Sequence, residues 1–203
     1  MTLTTQDATA WWTQHTNHAG QAWVERYWED WQAPHREHIL GALSLVSPVA
    51  SLFEVGCSAG PNLRLIRHHL PHVQLSGQDL VPAATKWVST HLDIPTTTGR
   101  LPMDLAAVPA SSVDVALSCY TLAYLDAHDV WETVDEMARI ARRAVILLEP
   151  MGDHDGVSRH DIPEWQRDYQ MLPWPAGWRM RWRWPILPPV QALNACAVFT
   201  RGS

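Results

Sequence analysis

The feature that most constrains the fold is a regular alternation of short apolar segments with helical patterns in the middle of the chain. The apolar segments that suit buried strands are residues 50–55, 73–79, 112–118 and 144–148. The helical patterns between them are residues 62–69, 82–91 and 127–141. Strand and helix alternate with short connections, and this order predicts an α/β fold with a mostly parallel sheet and helices on both faces.

Both ends of the chain depart from this alternation. Trp23, Tyr27 and Trp31 follow one another at four-residue intervals, which predicts a helix over residues 11–31. A second helix is predicted from residue 35 to Ser47 and Pro48, so that residues 1–47 form an aromatic-rich helical cap. Near the other end, residues 178–184 and 195–200 read as two strands without a crossover helix, which predicts an antiparallel pair at the sheet edge.

Length, charge and cysteine content narrow the class of protein. The 203 residues fit a single domain, with the cap over 1–47 and the core over 48–203. A net charge of -6 disfavours broad nucleic-acid binding. The three separated cysteines suggest neither disulfides nor a zinc site, so we expect no metal. No signal peptide or membrane-spanning run is visible, so the expected location is cytoplasmic.

The segment most informative about function is residues 52–62, where a predicted buried strand runs into a tight turn and then a helix. Ligands of open parallel sheets bind at the carboxyl ends of the strands. Gly56 and Gly60 allow the backbone to approach a ligand closely, and the amides at the start of the helix can meet a negative group. We therefore expect a ligand site at this turn.

The spacing of the glycines distinguishes between the possible nucleotide ligands. A dinucleotide fingerprint beginning at Gly56 requires glycine at the positions that hold Ser58 and Pro61. A phosphate-binding loop requires a Gly-Lys-Ser/Thr ending, which this turn lacks. NAD, FAD and nucleoside triphosphates are therefore disfavoured.

Instead, the turn resembles the first motif of the class I S-adenosylmethionine-dependent methyltransferases, an acidic residue followed by any residue and Gly-x-Gly-x-Gly. Glu54, Gly56 and Gly60 match it, and Ser58 replaces the middle glycine. Asp79 ends the second predicted strand, 23 positions after Gly56, where the family's acid holds the ribose hydroxyls. The resemblance covers residues 50–152 well and the C-terminal strand pair loosely. It implies a Rossmann-like fold with a mostly parallel seven-stranded sheet.

The resemblance also implies S-adenosyl-L-methionine as the cofactor and a set of residues around it. The implied cofactor-binding residues are Tyr27, Arg36, Glu54, Gly56, Cys57, Ser58, Gly60, Asn62, Asp79, Leu80, Arg100, Leu101, Ser118 and Tyr120. Leu80 is expected against the adenine, and Arg36 beside the cofactor carboxylate. Arg100 stands where the family often has an acid for the adenine amino group, which leaves backbone groups or Asp104 for that contact.

Catalysis by this family needs alignment of the acceptor and exclusion of water more than a covalent residue. Tyr120 is the leading candidate for an acceptor contact, and His154, Tyr120 and His160 are the candidate bases, because they follow the fourth and fifth predicted strands. The expected function is methyl transfer to a small-molecule acceptor. The alternatives are an RNA or protein methyltransferase, for which Arg179, Arg181 and Arg183 on one strand face are the only support, or a non-catalytic regulatory protein that binds the cofactor. The acceptor and the oligomeric state stay open.

Overall fold

The computed structural model describes residues 4–152, 156–159, 164–186 and 194–202. The helices are α1 Thr5–Glu29, α2 Glu37–Leu45, α3 Pro61–His69, α4 Pro82–Leu92 and α5 Ala127–Ile140. The strands are β1 Ser51–Val55, β2 Gln74–Asp79, β3 Thr96–Thr98, β4 Val113–Cys119, β5 Ala141–Pro150, β6 Gly156–Arg159, β7 Glu164–Gln166, β8 Trp178–Pro185 and β9 Asn194–Arg201.

Seven of these strands form one sheet, in the order β3-β2-β1-β4-β5-β9-β8. The five strands from β3 to β5 are parallel, whereas β9 runs antiparallel to both β5 and β8. The predicted parallel sheet and antiparallel C-terminal pair are therefore confirmed. Strands β6 and β7 form a separate antiparallel pair that the sequence did not predict.

The strand order places a ligand crevice at one edge of the sheet. Chain order runs outward from β1 through β2 to β3 on one side and from β4 to β5 on the other. Connections that leave in opposite directions open a crevice at the carboxyl ends of β1 and β4. Helices α2, α3 and α4 cover one face of the sheet, and α5 covers the other. Apolar side chains on both faces hold this edge rigid.

Helix α1 starts earlier and ends earlier than the predicted helix over residues 11–31. Thr4 and Asp7 form a capping box that fixes its start, and Gly20 bends it with φ 53° and ψ -139°. Short 3₁₀ turns, Asp30–Gln32 and Pro34–Arg36, then lead into α2. Although α1 has 25 residues, neither it nor another described helix is apolar enough to cross a bilayer.

Strand β8 differs from the sequence prediction in how its arginines face. An irregularity between Met180 and Trp182 inserts an extra residue, because these two residues pair with the adjacent residues Phe199 and Val198 of β9. Such a bulge reverses the alternation of side chains. Arg179 therefore lies on the opposite face from Arg183. The expectation of three arginines on one face is therefore wrong. That arrangement was the only sequence feature that supported a macromolecular acceptor.

Candidate active site

A cavity of about 740 Å³ lies at the carboxyl ends of β1, β2 and β4. Its floor is the turn after β1 together with the end of β2 and the loop after β4. Its roof is α1 and the Pro34–Arg36 turn. This size falls in the range of small-molecule and cofactor sites.

The turn after β1 is held in shape by positive φ angles and by close packing. Gly56, Ser58 and Gly60 have φ values of 71°, 48° and 79°. A Cβ atom on Gly56 would overlap the side chain of Thr121, and one on Gly60 would approach Cγ2 of Val88 to 2.7 Å. The turn therefore needs glycine at both positions because of its contacts with the rest of the fold, and not only to leave room for a ligand.

Asp79 connects this turn to the end of β2. Its Oδ2 accepts the Ser58 N–H at 2.7 Å, and its Oδ1 accepts the Val81 N–H at 2.8 Å. Burial raises the pKa of Asp79 above its ordinary value, and the backbone amides that it accepts act in the opposite direction. Asp79 also lines the cavity.

A chain of buried polar groups runs from the roof into the sheet. Arg36 is 6% exposed; its Nη2 lies 2.6 Å from Asp30 Oδ2 and its Nη1 donates to Asn62 Oδ1 at 2.5 Å. Asn62 Nδ2 in turn donates to Glu54 Oε1 at 2.6 Å. Complete burial raises the pKa of Glu54 to about 8. Glu54 therefore stays mostly protonated near neutral pH and positions Asn62 and Arg36.

Glu149, at the end of β5, is a buried carboxylate that the sequence analysis missed. Its Oε1 accepts the Ser118 hydroxyl at 2.7 Å and the Thr121 and Leu122 amides at 3.1 and 3.2 Å. Its Oε2 accepts the Ala123 amide at 3.2 Å. Burial nevertheless raises its pKa to about 7. Glu149 therefore fixes the loop after β4. The sequence feature that could have identified it is an acidic residue directly after the apolar run of β5.

Tyr120 begins that loop in a left-handed conformation, with φ 53°. Its amide donates to Leu148 O at 2.9 Å, and its hydroxyl has no hydrogen-bond partner among the described residues. Burial raises the pKa of Tyr120 well above its ordinary value. Its ring meets the imidazole of His35 edge to face, with 5.7 Å between centroids. Burial lowers the pKa of His35 to about 4, so this imidazole is neutral at physiological pH.

Aromatic rings form the side of the cavity beneath α1. Trp12 contacts Tyr124 at 5.1 Å and Trp23 at 6.3 Å, and Trp23 contacts Tyr27 at 4.9 Å, all between ring centroids. We call these four residues the aromatic wall. They come from both halves of bent α1 and from the loop after β4, so the bend at Gly20 brings distant rings together.

Most of the residues predicted for the site line this cavity. They are Tyr27, Arg36, Gly56, Cys57, Ser58, Asn62, Asp79, Leu80, Arg100, Leu101 and Tyr120. Glu54, Gly60 and Ser118 are not among the lining residues, since each is buried one layer behind it. His154 and His160 lie outside the described residues.

Asp104, the alternative to Arg100 for an adenine contact, instead forms a hydrogen bond with the backbone of its own loop. The loop does fold back, but Asp104 Oδ2 accepts the Arg100 amide at 2.7 Å. Asp104 is exposed and does not line the cavity. The carboxylate therefore shapes the Gly99–Arg100 backbone and leaves Leu101 at the cavity wall.

Comparisons with known proteins agree with this geometry. Residues 53–148 match the family model described as a methyltransferase domain. The chain superposes on magnesium protoporphyrin IX methyltransferase of Synechocystis PCC 6803 with bound SAH, at TM-score 0.70 and 13% identity, over 97% of this chain and 100% of that one. No curated protein matches the sequence.

Two further structures share the fold. Haemonchus contortus phosphoethanolamine N-methyltransferase 1, solved with phosphoethanolamine and S-adenosylhomocysteine, matches at TM-score 0.69 and 14% identity, over 98% of this chain and 49% of that one. A chain from the complex of the Haloferax volcanii Trm112 methyltransferase activator with a methyltransferase matches at TM-score 0.67 and 17% identity, over 90% and 95%.

The sheet order and these superpositions define the Rossmann-like class I methyltransferase fold. Residues 53–148 match a methyltransferase domain, and this match agrees with the S-adenosylmethionine-dependent class that the turn after β1 resembles. The fold expected from the sequence is thereby confirmed, and the match to a methyltransferase domain supports the expected enzyme class and cofactor. Neighbours at 13–17% identity carry no information about the acceptor.

Proposed function

We propose that this enzyme transfers a methyl group from S-adenosylmethionine to a small-molecule acceptor inside the roofed cavity. The observation that carries the proposal is that α1 covers part of the cavity. Thr5 N–H donates to Asp126 Oδ2 at 3.1 Å and Thr5 Oγ1 accepts the Asp126 amide at 2.8 Å, which fixes the start of α1 against the start of α5. A small molecule fits beneath such a roof more readily than a folded macromolecule.

The floor of the cavity suits the nucleoside part of the cofactor. Asp79 lines the cavity, and the Ser58 and Val81 amides hold its carboxylate in place, so that it could accept hydrogen bonds from ribose hydroxyls. Leu80 and Leu101 offer apolar surface from the loops after β2 and β3. We propose that the adenine lies between them, with backbone groups near Arg100 reading its edge.

The polar chain under the roof suits the amino-acid part of the cofactor. The guanidinium of Arg36 carries more N–H donors than its bonds to Asp30 and Asn62 use, so it can also bind a carboxylate. Asn62 lines the cavity beside it. Cys57 and Ser58 present backbone at the same turn. We propose that Arg36 binds the carboxylate of the cofactor and that protonated Glu54 acts only by positioning Asn62.

The residues near the proposed reaction centre favour positioning over proton abstraction. S-adenosylmethionine supplies, when bound, a methyl group on a sulfonium that a nucleophile can take by in-line displacement. Tyr120 keeps its proton at neutral pH because burial raises its pKa. His35 has a pKa of about 4 and is a weak base. These two residues would therefore orient the acceptor and exclude water, and His154 remains a candidate base.

Calorimetric titration tests the cofactor site. We expect S-adenosylhomocysteine to bind with micromolar affinity or better and NAD to show no binding. S-adenosylmethionine incubated with a pool of small molecules should yield S-adenosylhomocysteine. Binding without product from any acceptor would favour the non-catalytic alternative. Product formed only with RNA or protein would overturn the small-molecule proposal.

A further inference from the structure

Strand β7 joins the fold on the side of the sheet that lies away from the proposed ribose site. Asp79 ends β2, whereas Arg167, directly after β7, donates its backbone N–H to Pro150 O at 3.3 Å, at the end of β5. In the order β2-β1-β4-β5, these two ends are three strand positions apart, which is about 14 Å at the usual strand spacing. Strand β7 therefore approaches the cavity from the opposite side to the end of β2.

One buried side chain holds β7 against the loop after β4. Arg167 is 2% exposed, and its guanidinium donates to Leu122 O at 3.2 Å and also to Leu125 O. A buried guanidinium needs such acceptors, because an unpaired charge is costly away from water. Leu125 itself lines the cavity. Arg167 therefore fixes where Glu164, three residues earlier in the chain, meets the cavity.

Glu164 brings a carboxyl group to this side of the cavity. It is 3% exposed and lines the cavity together with Tyr124 and Trp12. The Tyr124 hydroxyl donates to Glu164 Oε2 at 3.4 Å, and the Tyr124 ring meets the Trp12 ring edge to face, with 5.1 Å between centroids. Burial raises the pKa of Tyr120, and the Glu164 carboxylate adds to that rise. These contacts make Glu164, Tyr124 and Trp12 a group of neighbouring side chains.

The residues around Glu164 decide which acceptor chemistry suits this side. The first half of α1, the loop after β4 and β7 supply the described lining residues Thr5, Ala8, Thr9, Trp12, Tyr120, Thr121, Tyr124, Leu125 and Glu164. Among these nine described residues, Glu164 is the only acid and none is a base. A carboxylate accepts N–H groups, and aromatic faces attract positive charge. Such a combination suits a cationic amine.

We propose that Glu164 is a specificity-determining residue that selects an amine-bearing methyl acceptor by accepting a hydrogen bond from its nitrogen. Trp12 and Tyr124 contact the apolar part of the same acceptor. This inference rests on the proposed function, because it names the chemical class of the second substrate of the cavity. It gives Glu164 a role distinct from that of Asp79, which is proposed for the cofactor.

The first test titrates phenethylammonium, a small aromatic amine, into the full chain saturated with S-adenosylhomocysteine. Phenethyl alcohol has the same skeleton without the charge, and hydrocinnamate carries the opposite charge. We expect saturable phenethylammonium binding, about tenfold weaker binding of phenethyl alcohol and still weaker binding of hydrocinnamate. Tighter binding of hydrocinnamate than of phenethylammonium, or no phenethylammonium binding, would overturn the proposal.

The second test changes the charge at one position. Glu164→Gln keeps the shape of the side chain and should weaken phenethylammonium binding about tenfold, while the affinities for phenethyl alcohol and S-adenosylhomocysteine stay unchanged. Glu164→Asp keeps the charge and should keep the order of the three probes. The matched control is Glu132→Gln, an exposed position on α5 outside the cavity, which should change none of these affinities.

The outcomes distinguish a failure of this inference from a failure of the proposed function. Unchanged phenethylammonium affinity in Glu164→Gln, or an equal loss for phenethylammonium and phenethyl alcohol, would overturn the role of Glu164 in selecting an amine. Loss of S-adenosylhomocysteine binding in both Glu164 variants would assign Glu164 to the cofactor or to the fold and would also overturn it. Absence of S-adenosylhomocysteine binding to the wild-type protein would instead defeat the proposed function itself.

Discussion

The turn after β1 and the roof formed by α1 line the same cavity, yet different kinds of contact determine their structures. In the turn, backbone amides hold the shape, as those of Ser58 and Val81 do by donating to Asp79. In the roof, Trp23 is buried with an unpartnered indole nitrogen, and the wall joins rings far apart in sequence. Backbone geometry therefore fixes the turn, whereas side chains from several segments shape the roof.

The largest expected effect comes from a substitution that disrupts the turn after β1. Gly56→Ala places a Cβ against Thr121 at a residue with φ 71°. Left-handed strain and overpacking together should lower the free energy of unfolding by about 3 kcal/mol, measured by urea denaturation. Gly41→Ala on α2 is the matched control, because no atom lies within 4 Å of its Cβ, and it should stabilise slightly. Equal stability of both variants would contradict the packing account.

The next effect concerns ligand affinity at the floor. Asp79→Asn removes the charge that is proposed to accept two ribose hydroxyls, so affinity for S-adenosylhomocysteine should fall about a hundredfold in calorimetric titration. Asp135→Asn, an exposed position on α5, should leave that affinity unchanged. A loss of less than about threefold in Asp79→Asn would remove Asp79 from the cofactor site.

A smaller effect follows from the buried carboxyls behind the turn. Glu54 has a pKa of about 8 and Glu149 of about 7, so the folded state keeps protons that the unfolded state releases. Stability from these groups is complete below their ordinary pKa and is lost as pH rises through 7 to 8. The free energy of unfolding should fall by about 2 kcal/mol between about pH 6.5 and pH 8.5.

The lower end of that pH window is chosen to limit the contribution of His35, whose effect on stability has the opposite sign. Burial lowers the pKa of His35 to about 4, so His35 adds stability as pH rises toward its ordinary value of 6.5. Denaturation in buffers above that value isolates the carboxyls. Glu54→Gln, which keeps an oxygen for Asn62, should flatten most of the decline. If the free energy of unfolding of Glu54→Gln falls with pH as steeply as that of the wild type, groups other than Glu54 cause the pH dependence.

The smallest effect is expected in the roof. Trp23→Phe removes a nitrogen that has no partner, so no internal hydrogen bond is lost. Only the reduced ring volume counts, and the free energy of unfolding should fall by about 1 kcal/mol. Leu63→Ala in the buried face of α3 should cost about 3 kcal/mol in the same denaturation experiment. A larger loss in Trp23→Phe than in Leu63→Ala would make the roof part of the stabilising core.

The same contrast explains what sequence reasoning could predict. The buried strands and the turn of Gly56 and Gly60 could be read from short local patterns. Strand β3 was missed because Thr96–Thr98 is a short polar segment whose pairing with β2 is decided by tertiary context. The bulge in β8 was also missed, and an inserted residue leaves no trace in the alternating Trp and Arg pattern.

Within the site, residues close in sequence to the turn were predicted and long-range partners were not. Asp79 and Asn62 line the cavity as expected. The support of Arg36 by Asn62 and the bonds from Glu149 to the loop after β4 depend on contacts between segments distant in sequence. Ser118, expected at the cofactor, donates its hydroxyl to Glu149 on the neighbouring strand β5, a contact that the sequence did not indicate.

The most direct test of the central claim is a crystal structure of the protein with S-adenosylhomocysteine. We expect the ribose hydroxyls within hydrogen-bond distance of Asp79, the adenine between Leu80 and Leu101, and the carboxylate at Arg36. A ligand bound outside this cavity, or inside it with the ribose away from Asp79, would contradict the account.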